Sequence, residues 1–217
     1  LRDGRGGSSL AGARRPTVLY LAPTKALAAD QLRRLPTGLA DLRPATVDGD
    51  NSREQRSWAR DHANWVLANP DVLHHTILPM HERWSRFLSG LRVVVIDECH
   101  HYRGVFGAHV ALILRRLNRV LAHYGAEPVF VLSSATVADP ANSAERLIDA
   151  PVAAVTEDAA PRARRTIAFW QPPILAVDES VQVRRSAATE AAELLADFVA
   201  SDTRTLAFVR SRRGAEE

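Results

Sequence analysis

The chain has 217 residues, 46% of them hydrophobic and 24% charged, which excludes a collagen, a coiled coil and a wholly disordered protein. Its 28 basic and 25 acidic residues leave a net charge of +3, which permits a nucleic-acid partner without requiring one. Cys99 is the only cysteine, which excludes an intrachain disulfide and a four-cysteine zinc site and favours a reducing, cytoplasmic location. No window approaches the roughly 18 uninterrupted apolar residues of a membrane span, so we expect no membrane partner.

Strands and helices alternate through the sequence. Short β-rich runs such as 17–22 and 92–96 are followed by stretches in which apolar residues recur at helical spacing, most clearly at 105–123. This alternation predicts βαβ units, and therefore an α/β fold with a mostly parallel sheet flanked by helices. In chain order, the predicted strands are 17–22, 45–47, 65–68, 92–96, 129–132, 152–155, 166–169 and 206–209, and the predicted helices are 25–35, 52–62, 72–79, 82–88, 105–123, 144–148 and 190–200.

The composition divides the chain into four segments. Residues 1–16 are rich in Gly, Ser and Arg without periodicity, which indicates a loop. Residues 17–158 are interpreted as a first domain, residues 159–165 as a polar linker, and residues 166–217 as the beginning of a second domain. Because the chain starts without methionine and stops soon after an apolar run, we expect it to be part of a longer protein.

Two adjacent carboxylates, Asp97 and Glu98, follow the buried strand predicted at 92–96. In open α/β sheets, ligands bind beyond the carboxyl ends of the strands. Carboxylates placed there are suited to bind a divalent metal and to act on water. We therefore predict a Mg²⁺ site at Asp97 and Glu98, with Asp97 on the ion directly or through water and Glu98 orienting or activating the attacking water. A second pair, Asp178 and Glu179, follows two prolines that disfavour a central strand, and we interpret it as a chance dipeptide.

Four further polar motifs follow predicted strands. Each is by itself typical of an ordinary turn or helix cap, but their common placement at strand ends favours a single binding edge. A helix start offers free N–H groups and a positive dipole end to a backbone phosphate, and small hydroxyl residues can relay movement from a metal site to a bound strand. The motifs are Pro23-Thr24-Lys25, Asp48-Gly49-Asp50, Asn69-Pro70-Asp71 and Ser133-Ser134-Ala135-Thr136.

In this order the motifs resemble those of superfamily two helicases of the DEAD/DEAH-box class. The similar segments are 23–27 (PTKAL, motif Ia), 48–50 (DGD, the Gly-Asp turn), 69–71 (NPD, motif Ib), 97–100 (DECH, motif II), 134–136 (SAT, motif III) and 206–212 (LAFVRSR, motif IV). The segments 101–110 (HYRGVFGAHV) and 169–173 (FWQPP) narrow the resemblance to one subfamily of these helicases. They are similar to the subfamily that includes the bacterial mitomycin repair factor, the mycobacterial SftH translocase and fungal RecQ-four-like helicases.

The resemblance implies a RecA-like first domain followed by the start of a second RecA-like domain, with ATP and Mg²⁺ as cofactors. It implies ATP-driven movement on single-stranded DNA, with three-prime to five-prime polarity, in DNA repair. It implies that His100, Ser134 and Thr136 couple ATP hydrolysis to strand movement, and that the DNA contacts are sequence-independent contacts to the backbone. The residues implied for those contacts are Pro23, Thr24, Lys25, Gly49, Asp50, Asn69, Pro70, Asp71, Arg210 and Ser211.

The sequence departs from the family pattern in its phosphate loop. No Gly-x-x-x-x-Gly-Lys-Thr segment occurs, and the only lysine, Lys25, already belongs to motif Ia. The family places this loop upstream of motif Ia, so we expect the chain to begin after it and to hydrolyse ATP negligibly by itself. Two other classes stay open. One is a non-catalytic nucleic-acid-binding module with RecA-like folding, and the other is a different P-loop motor such as a nuclease-linked translocase, for which the sequence contains no nuclease motif.

Four histidines, taken together with Cys99, suggest a zinc site. They are His74, His75, His101 and His109. Adjacent residues do not readily converge on one ion, and this spacing matches no known zinc site. The sequence therefore predicts no zinc site.

Overall fold

A computed structural model describes residues 15–36, 38, 40–135, 137–161, 163–178, 181–211 and 213–216. The contacts between residues divide the chain into two compact units, Leu1–Glu157 and Asp158–Glu217. No helix among the described residues is both long and apolar enough to cross a membrane.

The first unit is built around a five-stranded parallel sheet in the order β2-β3-β1-β4-β5. Helices connect the strands, as a parallel sheet requires. The strands are β1 (Thr17–Leu21), β2 (Pro44–Thr46), β3 (Trp65–Ala68), β4 (Leu91–Ile96) and β5 (Val129–Leu132). The helices are α1 (Lys25–Arg34), α2 (Arg53–His62), α3 (Pro70–Val72), a π-helix (Leu73–Ile77), α4 (Ser85–Ser89), a 3₁₀-helix (Cys99–His101), α5 (Gly104–His123) and α6 (Pro140–Ile148).

The register aligns the carboxyl ends of the three central strands. Leu21, the last residue of β1, lies opposite Ala68 on one side and Ile96 on the other. Ile96 in turn lies opposite Leu132, the last residue of β5. The loops that follow these strands therefore emerge along one edge of the sheet, where the sequence placed its polar motifs.

The core of the first unit explains why its elements form. The strands supply Leu19, Val66, Val94 and other aliphatic side chains that are fully buried. The long helix α5 buries one stripe that includes Leu114 and Leu117, as its helical periodicity predicts. Polar side chains fix the helix starts, since Ser52 and Gln55 form a capping box on α2, and Thr24 caps α1.

The second unit contains a two-stranded antiparallel hairpin and helices. The hairpin is formed by β6 (Ile174–Asp178) and β7 (Val181–Arg184), and it is followed by α7 (Ala187–Ala200) and α8 (Arg213–Glu216). Glu190 on α7 is 8% exposed, and its carboxylate accepts a hydrogen bond from Trp170 Nε1 at 2.8 Å and contacts Arg185 at 3.3 Å. This carboxylate ties the segment before the hairpin to the helix after it.

Three of the strand predictions are wrong. Residues 152–155, 166–169 and 206–209 are not strands, although each is short and apolar. The physical reason is that a strand exists only when a neighbour completes its hydrogen bonds, and the pairings found among the described residues do not include these runs. Conversely, 174–178 is a strand despite the two prolines before it, because a hairpin edge tolerates them. Glu179 lies outside the described residues.

Candidate functional site

The candidate site lies along the edge formed by the carboxyl ends of the strands in the first unit. Asp97 and Glu98 directly follow β4, the strand between β1 and β5. The backbone N–H of Asp97 donates to the Leu21 carbonyl at 2.8 Å, which extends the ladder with β1 by one residue beyond the strand. On the other side, Ser133 donates its N–H to the Ile96 carbonyl at 3.0 Å. The two carboxylates therefore sit on a rigid part of the sheet.

Hydroxyl groups hold both oxygens of the Asp97 carboxylate. The Tyr20 phenol, from β1, donates to Oδ2, and the Ser133 hydroxyl, which follows β5, donates to Oδ1. The backbone N–H of Glu98 also donates to Oδ1 at 3.0 Å. Donors from two neighbouring strands thus fix the carboxylate in one orientation, which is the support that a metal-binding side chain needs.

Tyr20 is suited to remain a donor. Burial raises the pKa of its phenol, and the hydrogen bond to Asp97 and the charges of Asp97 and Glu98 raise it further. The phenol is therefore neutral and protonated across the physiological pH range. The phenol oxygen keeps its proton and donates it in the hydrogen bond to Asp97 Oδ2.

Tyr20 is not among the residues that the sequence predicted for the site, and Ser133 was named there only as a member of the 133–136 motif, without a role of its own. In the register of β1 and β4, Tyr20 lies opposite Val95, so its side chain shares a face with Asp97 two residues farther on. Ser133 extends the pairing of β5 in the same way. The alternation of buried residues in 17–21 identifies the exposed face of β1, but the partner strand and its register are tertiary information.

Glu98 has a backbone conformation that is rare for a residue with a side chain. Its φ of 49° and ψ of 42° are left-handed, and the 3₁₀-helix Cys99–His101 follows at once. This sharp turn brings the side chain of Glu98 back beside the imidazoles of the helix, and its Oε2 lies 3.1 Å from His100 Nδ1. A side-chain-bearing residue in this conformation costs free energy, which the surrounding structure must offset. Such residues are found more often at functional sites than elsewhere.

His100 links the carboxylates to the loop after β5. Its Nδ1 accepts a hydrogen bond from the backbone N–H of Ala135 at 3.2 Å, while the same nitrogen lies near Glu98. One nitrogen cannot accept from Ala135 and donate to Glu98 at the same time. His100 Nδ1 without a proton therefore accepts from Ala135, and Nδ1 with a proton donates to Glu98. This geometry suits the coupling role predicted for His100.

The other predicted coupling residues are placed differently. The Ser134 hydroxyl donates to the Ala135 carbonyl at 2.9 Å, so Ser133 and not Ser134 reaches the Asp97 carboxylate. Thr136 lies outside the described residues. Cys99 is half-buried between the two catalytic candidates and the serines, and burial raises the pKa of its thiol. A raised pKa lowers the fraction of thiolate, the reactive form of the side chain.

Lys25 and Asp50 form an ion pair on this edge. Lys25 Nζ lies 2.8 Å from Asp50 Oδ2, and this hydrogen bond is the main reason that the pKa of Lys25 is raised. Gly49 lies beside the same ammonium group, since a Cβ added there would be 3.7 Å from Nζ. The Thr24 oxygen accepts from the Leu27 N–H at 3.2 Å, which leaves its own proton for another acceptor. The structure thus brings four of the predicted contact residues together.

The 69–71 turn offers fewer side chains than predicted. Asn69 Oδ1 accepts from the Val72 N–H at 2.8 Å, and within the described part of the chain its amide nitrogen has no hydrogen-bond partner. Asp71 is exposed, whereas Pro70 is buried and can only shape the turn. Pro23 is partly buried and has a similar role at the start of α1.

Arg210 and Ser211 belong to the second unit. Both side chains are exposed, and the Ser211 hydroxyl accepts from the Gly214 N–H at 3.1 Å at the start of α8. Their predicted contact with a nucleic-acid backbone stays a prediction.

The described residues fit Mg²⁺ better than they fit the phosphates of ATP. Asp97 and Glu98 supply carboxylate oxygens, the ligands that Mg²⁺ prefers, and the hydroxyl donors on Asp97 are compatible with binding through water. A nucleotide triphosphate needs in addition a cation and a loop of N–H groups. The only lysine is already paired with Asp50, and no other residue of the described chain forms such a cradle beside Asp97.

Known proteins of one family are similar to this chain in sequence. The DEAD/DEAH box helicase family matches residues 8–144. The uncharacterized ATP-dependent helicase YprA of Bacillus subtilis (strain 168) is 43% identical over 199 residues, which are 90% of this chain and 26% of that protein. The ATP-dependent helicase HRQ1 of Saccharomyces cerevisiae is 38% identical over 210 residues, which are 92% of this chain and 19% of that protein.

The same comparison extends to solved structures. The crystal structure of the DUF1998 helicase MrfA bound to DNA and AMPPNP matches with a TM-score of 0.86 and 42% identity, over 93% of this chain and 28% of that chain. The five-stranded parallel sheet with flanking helices is the RecA-like fold of helicase domains, so the predicted fold class is confirmed. This chain spans 26% or less of the length of the two curated relatives described above.

Proposed function

Because this chain belongs to the DEAD/DEAH box helicase family, we propose that it is part of an ATP-dependent DNA helicase or translocase. The protein couples ATP hydrolysis to movement along single-stranded DNA. Polarity from three-prime to five-prime and a role in DNA repair are parts of this proposal that rest on the subfamily resemblance. A cytoplasmic location is a further part, and it rests on the single cysteine.

One observation carries the proposal. The carboxylate of Asp97 is oriented by hydroxyl donors from both neighbouring strands, and the adjacent Glu98 reaches the loop after β5 through His100. A single rigid edge therefore joins a candidate metal ligand, a candidate base for water and a mechanical connection to a second motif. Electrostatic stabilisation and positioning are what phosphoryl transfer to water requires of a protein.

In this proposal each side chain has a defined role. Asp97 would hold Mg²⁺, with Tyr20 and Ser133 as positioning residues. Glu98 orients the attacking water and accepts its proton. The metal supplies neutralising charge to the phosphates. His100 Nδ1 changes its partner between Glu98 and Ala135, and this movement passes to Ala135 in the loop after β5.

The DNA contacts in the proposal are sequence-independent. Thr24, Lys25 and Asn69 present donors at helix starts along the same edge, where the helix dipole also favours a phosphate. Gly49 and Asp50 lie beside Lys25, and Arg210 and Ser211 add donors from the second unit. Single-stranded DNA suits contacts that are confined to the backbone.

The test is DNA-stimulated ATP hydrolysis by the full-length gene product and by this 217-residue chain. We expect activity in the full-length protein alone, and a loss of at least about a hundredfold in its Glu98→Gln variant because the water loses its base. Asp178→Asn, which changes a carboxylate of the second unit, is the matched control. An active Glu98→Gln variant would contradict the role proposed for Glu98.

A second candidate function is a non-catalytic nucleic-acid-binding module. It is favoured by one observation, the engagement of the only lysine with Asp50, which leaves no second lysine for a triphosphate. Salt-sensitive DNA binding by the full-length protein, without hydrolysis under any condition, would support this module instead of the motor.

A further inference from the structure

We propose that Glu98, His100 and His101 form a binding site for Zn²⁺ or a similar borderline divalent cation, and that this ion inhibits the motor by occupying Glu98. The binding site stands on the geometry of the chain, and only its inhibitory effect rests on the function proposed above. Among the described residues, these three form the one group of its kind whose ligand atoms, one from each residue, all lie within 4.8 Å of one another.

The turn after β4 explains how adjacent residues converge. The backbone N–H of His101 donates to the Glu98 carbonyl at 2.9 Å, a bond between residues three positions apart that closes the turn and brings the two residues together. The left-handed backbone of Glu98 then folds its carboxylate toward the intervening His100. The two imidazole rings lie side by side with centroids 4.4 Å apart. The sequence argument that adjacent residues do not converge on one ion is therefore wrong for this segment.

Each imidazole has a nitrogen that can bind a metal. In the tautomer in which His101 Nδ1 donates to the Glu98 carbonyl, 3.2 Å away, Nε2 keeps a free lone pair. Metal-binding histidines typically have such a backbone partner on the other nitrogen. His100 Nδ1 is an acceptor for Ala135 and lies 3.1 Å from Glu98 Oε2. That separation is close to the spacing of two ligands around a tetrahedral ion.

The donor set selects the class of cation. Two imidazoles and a carboxylate are the ligands of Zn²⁺, Co²⁺ or Ni²⁺, whereas Mg²⁺ prefers oxygen ligands alone. The side chains of Glu98 and His100 are 40% and 23% exposed, and His101 is exposed, so an ion can enter from solvent. A fourth ligand position is open to water.

Occupancy has two consequences for the motor. The ion takes the Glu98 oxygen that would orient water. It also takes the lone pair of His100 Nδ1 that accepts from Ala135, and this breaks the link to the loop after β5. Both effects oppose hydrolysis.

The first experiment needs neither ATP nor DNA. Co²⁺ is added to the 217-residue chain, and its visible absorption is recorded, with Zn²⁺ then used as competitor in calorimetry. We expect one site with the absorption of a four-coordinate ion, and at least about tenfold weaker binding in His101→Ala, because one of three ligands is lost. His109→Ala, which removes another exposed histidine of the same region, is the matched control and keeps the affinity.

Two variants keep the result interpretable. His101 is exposed and its loss leaves the core intact, and Glu98→Gln tests the carboxylate without changing the size of the side chain. Equal affinity in the parent chain, His101→Ala and Glu98→Gln would overturn the proposal and indicate adventitious binding by surface histidines. Because the measurement is binding alone, it stands or falls separately from the ATP hydrolysis test of the proposed function.

Discussion

Two apolar runs of four residues have opposite outcomes in this molecule. Val129–Leu132 (VFVL) is the strand β5, whereas 206–209 (LAFV) is not a strand. The first run lies in register with β4 from Val93 to Ile96, which supplies partners for its backbone. The second run belongs to the unit Asp158–Glu217, in which the described strands pair only with each other in the hairpin. An apolar run has the composition of a strand, but it forms a strand only when a neighbouring strand pairs with its backbone.

The same contrast applies to the two units. The first unit buries a large cluster of aliphatic and aromatic side chains and a second, smaller cluster of Ala22, Ala28 and Leu67. In the second unit, the buried residue among those described is Glu190, while Phe169 is 99% exposed and Phe208 is 89% exposed. Stability from apolar burial is therefore concentrated in the first unit. Substitutions in the two units test whether stability is concentrated in this way.

The largest effect is expected in the core of the first unit. Leu114→Ala on α5 should lower the free energy of unfolding by about 2–5 kcal/mol, because it leaves a cavity at a fully buried position. Leu206→Ala, at a position that is 76% exposed in the second unit, should change it by less than about 0.5 kcal/mol. Urea unfolding followed by circular dichroism measures both. Equal losses would show that the second unit shares a core that the described contacts do not contain.

A smaller effect is expected for two tyrosines of the first unit. Tyr20→Phe removes a hydrogen bond to a carboxylate and should cost about 1–2 kcal/mol. Tyr102→Phe is the matched control, because the buried Tyr102 hydroxyl has no hydrogen-bond partner among the described residues and its removal should be neutral or stabilising. If both variants lose the same stability, the bond from Tyr20 to Asp97 contributes nothing specific.

The pH dependence of stability separates the same pair from the rest of the chain. Burial raises the pKa of both phenols above the ordinary value of 10.0, so the folded state holds protons that the unfolded state releases. Their contribution is therefore complete below about pH 10 and declines as the pH rises further. Each Tyr→Phe variant should flatten that alkaline decline in unfolding experiments. An unchanged slope in both variants would contradict the assigned shifts.

The smallest effects are expected at the exposed cations of the two units. Lys25→Ala and Arg210→Ala should each weaken binding of a single-stranded oligonucleotide a few-fold and reduce the salt slope by about 0.7, the value for one lost phosphate contact. Asp50→Asn should instead strengthen binding by up to about fivefold, because it releases the Lys25 ammonium from its ion pair. Fluorescence anisotropy at several salt concentrations measures all three.

These variants also distinguish the contributions of the two units to DNA binding. Loss in Lys25→Ala without loss in Arg210→Ala would confine the backbone contacts to the first unit. Weaker binding in Asp50→Asn would show that the Asp50 side chain itself supports the bound strand, as the family resemblance implies, and that release of Lys25 from the ion pair is not the larger effect.

Local patterns in the sequence predict the α/β class, most helices and strands of residues 17–148, and the order of the motifs. They do so because alternation, helical periodicity and capping residues such as Thr24 and Ser52 are local signals that lie within a few residues of each other. They also predict that Asp97 and Glu98 follow a buried strand, since the apolar run before them is unbroken.

The side chains that meet at that edge are brought together by strand pairing, which is a property of the tertiary structure. Tyr20 and Ser133 lie 77 and 36 residues from Asp97 in the chain, and they reach it because β1 and β5 pair with β4 in one particular register. The convergence of Glu98 with His100 and His101 depends on a single left-handed residue. Strand pairing is a long-range choice among many competing partners, and the free energy that settles it is the burial of the whole sheet rather than a property of any one segment.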